Sequence, residues 1–121
     1  MAAPNIVNTT IIYGRTDVAA VGTAAASITS NTAASGKVYK VNSLIVSNVD
    51  GSSDVDVNVD LYRTSLTAAF HIARTVTVPA DSSLIVVGRD NPVYLAEGDS
   101  IRLTASAAGD AEALCSYEEI A

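Results

Sequence analysis

The 121-residue sequence predicts an all-β fold, an antiparallel β-sandwich or jelly-roll-like domain of about eight strands with little or no helix. From Lys37 to Ile120, runs of Val, Ile, Leu and Thr are broken at short intervals by Gly, Asp, Asn, Pro or Ser, the spacing of short strands and turns. No window places apolar residues at helical spacing, and the alanine-rich stretch "VAAVGTAAASITSNTAASG" is interrupted by Gly, Ser and Thr. The segment "DVDVNVDLYR" alternates strictly, with Val55, Val57, Val59 and Leu61 on one face and Asp54, Asp56, Asn58, Asp60 and Tyr62 on the other.

The first expected strand is Ile6–Tyr13, apolar on both faces at Ile11 and Ile12, so residues 1–13 are read as an N-terminal arm or edge strand of a single 1–121 domain. Such an arm would cover another strand or be exchanged between subunits. Strands are then expected at Val18–Ser30, Lys37–Val49 and Asp54–Arg63, with "DG" at Asp50–Gly51 marking a hairpin between the last two. The strand Phe70–Val78 follows the linker "TSLTAA". A symmetric hairpin there pairs Leu61 with Ile72, Val57 with Val76 and Val55 with Val78, bringing the apolar faces together. That register sets Arg74 against Val59 on the apolar face, where its guanidinium needs a carboxylate, a carbonyl or water at the sheet rim. It also places His71 beside Tyr62 on the polar face.

In Ser83–Arg89, the run Leu84, Ile85, Val86 and Val87 is apolar on both faces and requires cover on both, from the N-terminal segment or from a second subunit. A short extended piece at Val93–Leu95, then Ser100–Ala107 and Glu112–Glu119, complete the strands. Pro79 and Asp81 set one turn. Gly98 sets another by accepting a positive φ, with Glu97 and Asp99 poised to accept hydrogen bonds from turn amides.

A chain of this length buries roughly two thirds of its unfolded surface without staples. The single cysteine, Cys115, allows no internal disulfide and suits a reducing cytoplasm. With a net charge of −6 and no clustering of Lys and Arg, nucleic acid is not an expected partner. Neither is a membrane, because no apolar run approaches the roughly 18 residues of a spanning helix. The opening "MAAPNIVNTT" carries no basic lead and no long apolar core, so no secretory signal is expected.

Little in the sequence points to catalysis, and no catalytic, cofactor-binding or metal-ligating residues are assigned. "DVDVNVD" is a poor calcium loop, since Val59 stands where glycine is needed and Ser65–Ala69 holds no glutamate. The Asp54, Asp56 and Asp60 side chains are read as a solvated strand face. His71 is the only histidine, no serine sits in a G-x-S-x-G elbow, and no basic residue near Cys115 lowers its pKa. Tyr39, Tyr62 and Tyr94 are the residues that would have to meet in space to form a sugar-stacking platform.

Taken together, "IVNTTIIYGRT", "GKVYKVNSLIVSNVDG", "VDLYR", "VPADSSLIVVGRDNPVYLAEGDSIRLTAS" and "CSYEE" resemble small virion structural proteins of tailed phages, particularly those of cyanobacterial and marine hosts. The resemblance implies a β-sandwich that binds the outside of a capsid as a decoration or cement protein, or a neck or tail component. A carbohydrate-binding or host-recognition module is the alternative from another class. On the leading reading the chain is made in the host cytoplasm and ends on the virion surface. Its partners are then copies of itself, as a homotrimer, and the major capsid protein or other virion proteins. The expected interface residues are Ile6, Val7, Ile11, Ile12, Arg74, Ile85 and Val87.

Overall fold

A computed structural model describes residues 6–121 and shows an all-β protein. The strands are β1 (Ile12–Val21), β2 (Ala26–Ser30), β3 (Val38–Asn48), β4 (Val55–Arg63), β5 (Ala68–Val78), β6 (Ser83–Val87), β7 (Val93–Leu95), β8 (Asp99–Ala105) and β9 (Ala111–Ile120). One 3-10 turn, Thr64–Leu66, is the helical content of the described residues.

The strands form two antiparallel sheets. The first runs β1-β9-β3-β6, with β7 also paired to β3, and the second runs β2-β8-β4-β5. With β7 set aside, the pairs are β1 with β9, β2 with β8, β3 with β6 and β4 with β5. The chain is therefore a long hairpin rolled up on itself, the jelly-roll arrangement of two facing sheets. Between the sheets lie Val41, Leu44 and Val46 of β3, Val55, Val57 and Val59 of β4, Ile101 and Leu103 of β8, and Cys115 and Tyr117 of β9. Alternation does this work: every second residue of β9 is buried from Ala111 to Glu119.

Two asparagines tie the sheets together at opposite ends of β3. Asn48 Nδ2 donates to the carbonyls of Ser53 (2.8 Å) and Val78 (2.9 Å), while its Oδ1 accepts from the Asp50 amide at 2.9 Å. Asn31 Nδ2 donates to the carbonyls of Lys37 (2.9 Å) and Leu95 (3.0 Å), and its Oδ1 accepts from Ser35 Oγ. Both side chains are buried, where an amide needs the hydrogen-bond partners that these carbonyls, the Asp50 amide and Ser35 Oγ provide.

The turns follow the sequence closely. Gly98 has φ +87°, and Asp99 Oδ2 accepts from the Ala96 amide at 3.0 Å. Glu97 instead reaches across to accept from the Gly36 amide at 2.9 Å. Asp50 Oδ1 accepts from the amides of Ser52 and Ser53, but the turn it closes is not the expected hairpin: β3 and β4 lie in different sheets, and the turn carries the chain from one to the other.

Four further expectations are corrected. Strand β1 begins at Ile12 rather than Ile6. Residues 6–8 lie in turns and bends instead, and the Ala121 carbonyl accepts from the amides of Thr10 (2.8 Å) and Ile11 (3.0 Å). The expected strand Val18–Ser30 is divided at Gly22, whose carbonyl accepts from Ala105 as the chain passes from one sheet to the other. The β4–β5 hairpin keeps Val55 opposite Val78 and Val57 opposite Val76, but two bulges then move Val59 onto Ala73 and Leu61 onto Phe70. Arg74 consequently leaves the apolar face and is exposed at the bulge, next to Thr75 at φ +49°. Finally, β6 is not greasy on two open faces. A bulge sets Leu44 opposite Val87 and Ile45 opposite Ile85, leaving Val86 as the extra residue. Leu84, Val86 and Val87 all pack on the core, and Ile85 alone faces out.

Candidate interaction surface

The outward faces of the two sheets differ in chemistry. On the second sheet, alternate residues of β4 form a polar surface in which each carboxylate has a neighbour. Asp54 accepts from the Ala80 amide, Asp56 accepts from Thr77 Oγ1 at 2.6 Å, and the Asp60 carboxylate lies against Nδ1 of His71. The Arg102 guanidinium covers the Tyr62 ring at 3.7 Å from its centroid. His71 thus pairs with Asp60 rather than sitting beside Tyr62, because the hairpin bulges shift it along the ladder.

The first sheet is different. Val18 of β1 lies opposite Leu114 of β9, Leu114 opposite Ile45 of β3, and Ile45 opposite Ile85 of β6. These four form one row straight across the sheet, on the side away from the core. Val18 is 72% exposed, Leu114 38% and Ile85 67%. Hydroxyl rows run on both sides: Thr16 and Ser116 share a hydrogen bond at 3.1 Å, and Ser47 and Ser83 share one at 2.9 Å. A shallow hollow of about 540 Å³ opens onto the row between Val18, Ile45 and Leu114, with Glu112 at its margin. A greasy stripe bordered by short polar side chains is the anatomy of an interface core and rim.

The expected interface residues do not gather there. Ile85 does, and it is the one member of that set in the row. Ile6, Val7, Ile11 and Ile12 are exposed near the start of β1. Ile12 aligns with Ile120 and Val38, whereas Ile85 aligns with Ile45, seven residues further along β3 and so roughly 23 Å away. Arg74 belongs to the second sheet, and Val87 is 1% exposed in the core, with no side-chain surface to offer a neighbour. Sequence reasoning missed Val18, Ile45 and Leu114. Each sits on the polar-facing side of its strand, and only the pairing of β1, β9, β3 and β6 aligns them.

A second feature lies at the inner edge of the first sheet. The buried Glu119 carboxylate holds two cations, accepting from Arg15 Nε at 2.6 Å and from Lys37 Nζ. The Lys37 bond above all holds the Glu119 carboxyl below its usual range, aided by Arg15 and opposed by burial. Beside it, Tyr39 and Tyr117 stack with centroids 5.0 Å apart, and burial pushes the Tyr117 phenol well up. Asp17 of β1 accepts from Thr29 Oγ1 at 2.9 Å, joining β1 to β2. These contacts attach the edge strand β1 to the body of the sandwich.

Candidate chemistry is sparse. Cys115 is fully buried, and burial raises its thiol pKa. Tyr39 lies in the core and Tyr94 on the outside of the first sheet opposite Lys40, while Tyr62 lies under Arg102 on the second. The three tyrosines do not form one platform. Among the described residues no three His, Cys, Asp or Glu side chains are grouped to hold a metal ion, and no helix is long and apolar enough to cross a membrane.

No family model and no curated protein matches the chain. Among solved structures, it is similar to a chain from work described as "Bacillus endospore appendages form a novel family of disulfide-linked pili". The two align over 99% of this chain and 96% of the other with a TM-score of 0.55 and 16% identity, a likeness of fold.

Proposed function

We propose that this chain is a structural subunit without catalytic activity that decorates and stabilises a phage capsid as a cement protein. The observation that carries this reading is the contrast between the two outer faces. One is a polar surface of carboxylates, hydroxyls, His71 and Arg102, and the other presents the row Val18–Leu114–Ile45–Ile85 to solvent. Burying side chains of this kind contributes on the order of 1–3 kcal/mol each, so the row is a contact surface rather than a neutral one. A subunit spanning a seam between shell proteins adds that energy only to the assembled state, and internal pressure must then break those contacts as well.

Electron microscopy of particles labelled on this chain tests the location. Density at icosahedral threefold positions, with trimers in solution, supports cement; density confined to one vertex points to the neck or tail and overturns it. Saturable binding on a glycan array, lost in Tyr94→Ala, would place the protein with carbohydrate-recognition modules instead.

A second reading is a fibre subunit, favoured by the likeness to a pilus chain over nearly the full length. Disulfide linkage, named for that protein, has no counterpart in the buried Cys115. Fibres would have to grow by surface contact alone, and negative-stain microscopy of concentrated protein would show them.

A further inference from the structure

Sheets that must stay apart protect their edges with bulges, short strands, proline or lysine. Three of the edges here are protected in this way. Strand β2 is five residues long with a register shift, β5 carries two bulges and the positive-φ Thr75, and β6 and β7 are five and three residues long. Strand β1 is the exception. It runs ten residues without a register shift, contains neither proline nor lysine, and is exposed on both faces from Ile12 to Thr16. Its ladder to β9 satisfies one side, and the other side lies at the sheet edge.

We propose that β1 is a self-pairing edge, joining the β1 strand of a second copy antiparallel about a two-fold axis at Thr16. The proposal rests on the reading of the chain as an assembly subunit and names the partner and register of one contact, a two-fold contact that joins subunits of adjacent trimers. The sequence of β1 selects that register. For inner faces to continue as inner faces, residues opposite each other must come from the same side of the strand. An axis at Arg15 sets two guanidinium groups against each other, and an axis at Asp17 sets two carboxylates. An axis at Thr16 sets Arg15 opposite Asp17 of the second copy, twice. The same register matches large residues to small ones, with Ile12 facing Ala20, Tyr13 facing Ala19 and Val18 facing Gly14, where added atoms meet open space. Arg15 uses Nε for Glu119, and its side chain remains 51% exposed. The joined sheets would lengthen the apolar row of one copy toward that of the next, giving a single broad face.

Disulfide trapping reads the register directly. Residues opposed on the axis have Cα atoms about 4.5–5.5 Å apart, within the disulfide range. Thr16→Cys should therefore convert most of the protein to a covalent dimer under mild oxidation, since the native Cys115 is buried. Ala20→Cys alone should not, because its copies are eight residues apart along the pair, roughly 26 Å. An equimolar mixture of Ile12→Cys and Ala20→Cys should cross-link. Thr23→Cys, in the exposed turn after β1, controls for collision. If Thr23→Cys links as fast as Thr16→Cys, or if the unmodified protein is an oligomer in which Thr16→Cys stays unlinked, the edge pairing is wrong while the assembly reading stands. If the unmodified protein is a monomer that neither links at Thr16 nor binds particles, both are wrong.

Discussion

Replacing Asn48 with alanine tests how the two sheets are held. The side chain ends β3 and reaches the Ser53 carbonyl in the turn that leads to β4 and the Val78 carbonyl at the end of β5, so it spans both sheets. Removing it loses three hydrogen bonds, two donated to carbonyls and one accepted from the Asp50 amide, at about 0.5–1.5 kcal/mol each. The sum is about 1.5–4.5 kcal/mol, a large share of the roughly 5–15 kcal/mol that holds a domain folded. With about 4 °C lost per kcal/mol at this chain length, Tm should fall by roughly 6–18 °C. Thermal unfolding followed by circular dichroism and calorimetry measures this. Asn48→Asp, which keeps the shape but turns the donor into an acceptor facing two carbonyls, should do at least as much harm. A Tm within 3 °C of the parent for both variants would show that water substitutes freely at this site and that the staple argument fails.

Other consequences can be checked in the same way. Lys37 and Arg15 depress the Glu119 carboxyl, so their stabilisation is full above the ordinary glutamate range and is lost as pH falls through the lowered value; Glu119→Gln should flatten the acid side of the Tm–pH curve. Asp110 has the opposite sign, because burial and the neighbouring Asp50 raise its pKa. Asp110→Asn should raise Tm at neutral pH, and the gain should vanish as pH drops through that raised value. Cys115 should resist thiol reagents until the chain unfolds, so rapid labelling of the native protein would contradict its burial. Ile85→Lys combined with Leu114→Lys should leave Tm within a few degrees of the parent and abolish particle binding or self-association; unchanged binding would remove the apolar row from the interface.

The sequence was informative wherever alternation spoke for itself. Strand β4 appears as expected, and so does its pairing through Val55–Val78 and Val57–Val76, since a period of two fixes which face is buried. Bulges were not legible, because one additional residue alters no composition and leaves the pattern ambiguous. That is why Arg74 was assigned to the apolar face and why Val87 was offered to a neighbour, although Val86 absorbs a bulge that turns Val87 inward. The surface row depends on non-local pairing. Val18, Ile45, Ile85 and Leu114 come from four separate segments, and no local pattern states that their strands lie side by side. The same holds for Glu119, whose two cations lie 104 and 82 positions away.

Strand β9 sits in the middle of its sheet, with β1 on one flank and β3 on the other, yet it is last in chain order. A polypeptide leaving the ribosome therefore exposes β1 and β3 until β9, the strand that joins them, has been made. Closure must await β9 and join segments far apart in sequence, which places folding in the millisecond-to-second regime typical of non-local β topologies. During that wait β1 is a bare strand able to meet another nascent copy, and crowding of polysomes rather than the finished fold sets the risk of premature association.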